Sequence, residues 1–137
     1  MKGSGRQRRE AGRGVGENLT LRLPGGPDAA ARARGELSRL RSDLDPPLTE
    51  NLRLLVTELI SNAVKHAGAR TMSLKVVVAR KAVFAEVTDD GPGFDRPRTA
   101  APHANHFGLF LVERLADRWG VVRDGRVTKV WFELRRA

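Results

Sequence analysis

Leu52-Arg53-Leu54-Leu55-Val56-Thr57-Glu58-Leu59-Ile60-Ser61-Asn62-Ala63-Val64-Lys65-His66 carries the pattern from which the fold is read. Leu52, Leu55, Val56, Leu59 and Ala63 recur at the spacing of a helix that buries one face. Glu58, Asn62 and His66 fall at i, i+4 and i+8, so they line up on a different face, with Lys65 beside them. The helix is expected from Thr49 to His66, with Gly68 placed to end it. A carboxylate one turn from a carboxamide suits a hard cation with phosphates. The Asn oxygen can ligate Mg²⁺, and the Glu can orient or deprotonate a hydroxyl. The same residues are also what an ordinary solvated helix face contains.

On the N-terminal side, Leu19, Leu21 and Leu23 alternate with Thr20 and Arg22 as in a half-buried edge strand, which Pro24-Gly25-Gly26-Pro27 ends. From Asp28 to about Leu44, alanines and Leu37, Leu40 and Leu44 keep helical spacing, and Asp45-Pro46-Pro47 is read as the break. On the C-terminal side, Met72–Arg80 and Val83–Thr88 read as strands joined at Arg80-Lys81. Phe94–Phe107 shows no period and reads as a long loop. Gly108–Asp117 returns to helical spacing, and strands around Val121-Val122 and over Val127–Leu134 meet at the Asp124-Gly125 turn. Helices on one face of a mixed, mostly antiparallel sheet make an α+β two-layer sandwich.

Two further stretches carry chemistry. Asp89-Asp90-Gly91-Pro92-Gly93-Phe94 follows a strand. A carboxylate there can accept a hydrogen bond from an exocyclic amine, and glycines let backbone approach a flat base. A tight Asp-Gly turn is the plainer reading, and Asp90 is assigned to the turn. Gly108-Leu109-Phe110-Leu111-Val112 opens a helix after the long loop, where free N–H groups can face an anion. A simple loop-to-helix junction would look the same.

The chain of 137 residues, 40% hydrophobic, holds one domain. Lys and Arg number 25 against 16 Asp and Glu, a formal charge of +9 that favours anionic partners of any kind. Residues 1–17, rich in Arg and nearly free of apolar side chains, read as a disordered basic tail before a domain over 18–137. Without cysteine there is no disulfide framework and no thiolate metal site. No stretch approaches the about 18 apolar residues of a membrane span, so a cytoplasmic protein without membrane contact is expected. Nucleic-acid binding rests on charge alone, since no recognition motif or aromatic stacking set accompanies it. Trp119 and Trp131 are read as core or interface anchors, and His103 and His106 as solvated loop residues.

Together, Glu58-Leu59-Ile60-Ser61-Asn62-Ala63-Val64-Lys65-His66, Asp89-Asp90-Gly91-Pro92-Gly93-Phe94 and Gly108-Leu109-Phe110-Leu111-Val112 resemble the three boxes of the histidine-kinase-like (Bergerat-fold) ATPases, in the same order. The resemblance runs from about Leu19 to Leu134. Leu115-Ala116-Asp117-Arg118-Trp119-Gly120 and the closing Val130-Trp131-Phe132-Glu133-Leu134 look like those of the small bacterial anti-sigma-factor serine kinases. The resemblance implies ATP and Mg²⁺ as ligands, Glu58 as catalytic base, Asn62 as Mg²⁺ ligand and Asp89 at the adenine amino group. It further implies Gly91, Gly93 and Gly108 lining the pocket, with Lys65, His66, Leu109 and Thr128 among the nucleotide-binding residues. It implies a serine/threonine protein kinase that phosphorylates a small anti-anti-sigma-like protein, binds a sigma factor, and pairs into a homodimer. One departure stands out: His106 occupies a position where the family often has glycine. That departure favours a second reading, a nucleotide-sensing interaction module without kinase activity. A two-component histidine kinase is not expected, because no phosphoacceptor helix pair or sensor is recognised upstream.

Overall fold

The structure is a computed structural model, and it describes residues 16–40, 43–66, 70–90, 109–125 and 127–136. In chain order the elements are β1 (Glu17–Pro24), α1 (Ala29–Leu37), α2 (Pro46–His66), β2 (Thr71–Val78), β3 (Ala82–Asp89), α3 (Phe110–Leu115), β4 (Arg118–Asp124) and β5 (Val127–Arg135). The strands form one sheet in the order β1-β2-β3-β5-β4. Each of the four ladders is antiparallel. The expected α+β sandwich is therefore present, without a parallel pair among the described strands. Residues 1–15 of the expected tail, the 94–107 loop with His103 and His106, and Gly68 lie outside the described residues, while Glu17, expected in the tail, pairs with Val78 as the first residue of β1.

Strand alternation decides the layers. Leu23, Met72, Leu74, Val76, Val78, Val83, Ala85, Val87, Phe132 and Leu134 are buried and point to the helix side. Against them α2 lays Leu52, Leu55, Val56, Leu59, Ile60 and Ala63, all buried. Ala29, Ala33 and Leu37 at i, i+4 and i+8 bury the inner face of α1, which packs on α2. None of the described helices covers the other sheet face. There Phe84 stacks on Trp131 with ring centroids 6.0 Å apart, and Lys129–Glu86 and Arg118–Glu133 pair at 3.8 and 3.6 Å. Gly120 lies beneath the indole of Trp131, where an added Cβ would come within 2.8 Å of Nε1. Trp119, half-buried, packs instead against the core.

The structure corrects three boundaries. The first helix stops at Leu37 rather than near Leu44. Ser38 Oγ donates to Gly35 O at 2.6 Å, and Arg39 N and Leu40 N donate to the carbonyls three residues back, which tightens and ends the last turn. Asp45-Pro46-Pro47 does separate the helices, yet its prolines belong to α2. Asp45 Oδ1 accepts from Leu48 N at 3.0 Å, and Asp45 O accepts from Thr49 N at 3.0 Å. Asp45 is thus the N-cap, and the prolines occupy the first two helical positions, whose N–H groups have no intrahelical acceptor. The last helix is likewise shorter than expected, and Arg118–Asp124, which includes Trp119, is strand.

Asp117 Oδ2 accepts from Arg135 N at 2.6 Å and Asp117 N donates to Glu133 O, which fastens the start of β4 to β5. At the opposite hairpin end, Gly125 has φ +66°, the left-handed conformation that the Asp124-Gly125 turn requires. Arg136 donates to Ala79 O and Asp43 O at 2.7 and 3.2 Å, tying the strand hairpin to the segment that enters α2. Asp45→Ala should lower unfolding free energy by about 1 kcal/mol through loss of the cap. Asp45→Asn should retain most of it, as urea titrations of the two variants will record.

Candidate nucleotide site

Because α2 crosses β3 and β5 with its apolar stripe down, the adjoining stripe overhangs the strand ends. A cleft opens there, lined by Leu59, Asn62 and Ala63 of α2, Val87 and Asp89 of β3, Leu109 before α3, and Val130 of β5. Counting the space open to solvent it holds about 280 Å³, little of which is enclosed. Its walls are apolar except for the Asn62 carboxamide and the Asp89 carboxylate. Asp89 is buried at the last position of β3, and Thr128 is its register partner on β5. The Thr128 side chain is fully buried, and its Oγ1 makes no hydrogen bond among the described residues. A buried hydroxyl left unsatisfied next to a buried carboxylate is a place where a polar group or a water can bind.

Glu58 stands one turn before Asn62, outside the cleft lining. Its Oε2 accepts from Leu111 N, in the first turn of α3, at 3.4 Å. Burial raises its pKa above the ordinary 4.5, opposed by the hydrogen bond from Leu111 and by the charge of Lys65. Lys65 is exposed. His66 closes α2, and its side chain lies outside the described residues, as do Gly91, Gly93 and Gly108. The structure therefore gathers Asn62, Asp89 and Leu109 about one cleft, with Thr128 beside Asp89 and Glu58 at the edge. Asp90, assigned to the turn, reaches back across the sheet, where its Oδ1 accepts from Thr71 N at 3.2 Å.

Sequence reasoning missed two parts of this arrangement. Val87, Val130, Leu59 and Ala63 form the walls, and their only signal was strand or helix periodicity, which reports burial and not what is enclosed. The Leu111 N–H that holds Glu58 carries no side-chain signal at all. As to metals, Asn62 offers a neutral oxygen, and no cluster of three His, Cys, Asp or Glu exists among the described residues. Alone, the Asn62 oxygen is one ligand of an octahedral magnesium, and the remaining ones would have to be waters and substrate phosphates.

A profile of the histidine kinase-like ATPase domain family matches residues 23–134, and the chain belongs to that family. The serine-protein kinase RsbW of Listeria monocytogenes is 28% identical over 133 positions, spanning 83% of this chain and 85% of its own. The sensor-type histidine kinase PrrB of Mycobacterium tuberculosis is 32% identical over 116 positions, 68% of this chain. The matched region is only 26% of PrrB's length. The crystal structure of the RsbU and RsbW domains of Rv1364c from Mycobacterium tuberculosis superimposes with a TM-score of 0.68 at 19% identity. That match covers 87% of this chain and 32% of the solved one, and it establishes the shared fold. No helix among the described residues is long and apolar enough to cross a membrane.

Two expectations arise from these groups. Thr128→Val removes a buried hydroxyl that has no partner among the described residues, so it should raise unfolding free energy by about 1 kcal/mol in nucleotide-free protein, measured by denaturant titration. For Glu58 the folded pKa lies above the unfolded one, so its ionisation opposes folding. The relative stability it contributes is complete below the unfolded carboxylate pKa and is lost as pH rises through the raised folded value. Glu58→Gln should therefore melt higher than wild type at pH 7, with the gap closing toward pH 4.

Proposed function

We propose that this protein binds Mg-ATP in the cleft and transfers the γ-phosphate to a serine or threonine of a small anti-anti-sigma-like protein. We further propose that it binds and inhibits a sigma factor. The observation that carries the kinase reading is the position of Glu58. It stands one helical turn from Asn62 at the cleft edge, half-buried, with its carboxylate held by Leu111 N–H. A carboxylate whose pKa is raised by burial is a better proton acceptor than a solvated one.

In this reading Asp89 accepts a hydrogen bond from the adenine amino group, and Thr128 Oγ1 gains its missing partner at the same edge of the base. Leu59, Ala63, Val87 and Val130 enclose the ring. Asn62 holds magnesium, which neutralises phosphate charge when bound. Lys65, His66, Leu109 and the glycines 91, 93 and 108 complete the nucleotide surface. Glu58 takes the proton of the acceptor hydroxyl as its oxygen bonds to the γ-phosphorus. The bond from that phosphorus to the β,γ-bridging oxygen breaks, and ADP leaves with the electron pair. RsbW supports a protein acceptor, because it aligns over most of both chains, whereas PrrB aligns over a quarter of its own length. The cytoplasm is the compartment this role implies, and a homodimer is part of the same reading.

Calorimetric titration of ATP with Mg²⁺ tests the pocket. Asp89→Asn should weaken binding about 10- to 100-fold, equivalent to about 1.4–2.8 kcal/mol. Glu58→Gln should leave ATP affinity within a few-fold and reduce phosphoryl transfer by about 10² or more. If Glu58→Gln left transfer intact, the assignment of the base would be wrong. If no transfer occurs but ATP still governs partner binding, the nucleotide-sensing module is the correct account.

A further inference from the structure

Outward from Glu58 the surface turns apolar where no nucleotide contact is assigned. Leu54 lies one turn before Glu58 on α2, on the same stripe, and is 41% exposed. Phe110 immediately precedes Leu111, whose N–H holds Glu58, and is 51% exposed. The guanidinium of Arg114 stands 5.3 Å from the Phe110 ring centroid. By contrast Val112 on α3, and Leu52, Leu55, Val56, Leu59 and Ile60 on α2, are all buried. Leu54 and Phe110 are thus large exposed apolar side chains on two elements that Glu58 joins, and aromatic rings and arginines are enriched at protein contact surfaces.

The geometry points to Leu54, Phe110 and Arg114 as the docking surface for the phosphoacceptor protein, an assignment that rests on the phosphotransfer reading above. Glu58 must come within about 2.6–3.2 Å of the acceptor hydroxyl to take its proton. The chain that brings this hydroxyl therefore lies over the residues flanking Glu58. Asn62, one turn further along α2, belongs to the cleft, so the nucleotide arrives from that side. Leu54 lies in the opposite direction along the helix, and Phe110 lies on the facing element. The acceptor accordingly presents an apolar side chain next to its hydroxyl-bearing residue, set against Leu54 and Phe110. A carboxylate of the acceptor faces Arg114, in keeping with the formal +9 of this chain.

The test uses the full chain, γ-labelled Mg-ATP and a panel of purified, folded bacterial anti-anti-sigma proteins. Leu54→Ser, Phe110→Ser and Arg114→Glu are compared with wild type. Each should lower kcat/KM for the labelled protein at least tenfold, chiefly through KM, while the calorimetric Kd for ATP stays within twofold. Because the three side chains are not in the core, thermal melts should be unchanged. Unaltered kcat/KM in all three variants would overturn the docking surface and leave the kinase reading standing. Loss of ATP affinity in Phe110→Ser would also overturn it, since the patch would then serve the nucleotide side, for example as a seat for residues 94–108. Failure of the wild type to label any protein on the panel would remove the phosphotransfer reading and this assignment with it.

Discussion

The burial of one stripe of α2 against β3 and β5 is the constraint on which the rest of the molecule depends. Leu55, Val56, Leu59, Ile60 and Ala63 fix the roll of the helix about its axis. With that roll set, the stripe carrying Glu58 and Asn62 has one place to go: over the strand ends, toward Asp89 and Leu109. A rotation of α2 by one residue, about 100°, would bury Asn62 and turn Glu58 away from α3. The energy of core packing is therefore what aims the polar groups. Much of the remaining structure holds this arrangement in place. Asp45 caps the entry of α2, and Arg136 clamps the incoming segment to the β2–β3 hairpin.

At the strand ends, groups are tolerated that folding alone would not select. Thr128 Oγ1 is buried without a partner among the described residues, and the Glu58 carboxylate is partly desolvated. Each opposes stability by a small amount, and under the proposed function each would meet a ligand group, the usual trade between a poised site and a relaxed one. Leu111 N–H limits the cost at Glu58, and it does so through the backbone of the element that lies between the cleft and the exposed Phe110. Glu58 thus links the two helices that frame the site.

The two faces of the sheet are unequal. One is covered by helices and supplies the core. On the other, a Phe84–Trp131 stack and cross-strand ion pairs lie over the strands. The narrow contact of Gly120 with the indole shows that this outer layer is packed closely as well.

Periodicity determined much of this protein from sequence alone. The stripes of α1 and α2, the alternation in β1, β2 and β3, and the turn at Gly125 are local, set by the side-chain spacing of a helix or strand and by left-handed backbone at one glycine. The candidate residues Glu58, Asn62 and Asp89 were legible too, because their chemistry and order match a known set of boxes. Only tertiary structure decided which of them meet. The prolines after Asp45 read as a break until the aspartate was seen to cap the helix they start, and the first helix ended early because Ser38 and the tightened turn compete with the helical pattern. The orphaned hydroxyl of Thr128 and the Leu111 N–H bound to Glu58 depend on antiparallel register and helix placement. Those are properties of residues distant in sequence, and no local pattern encodes them.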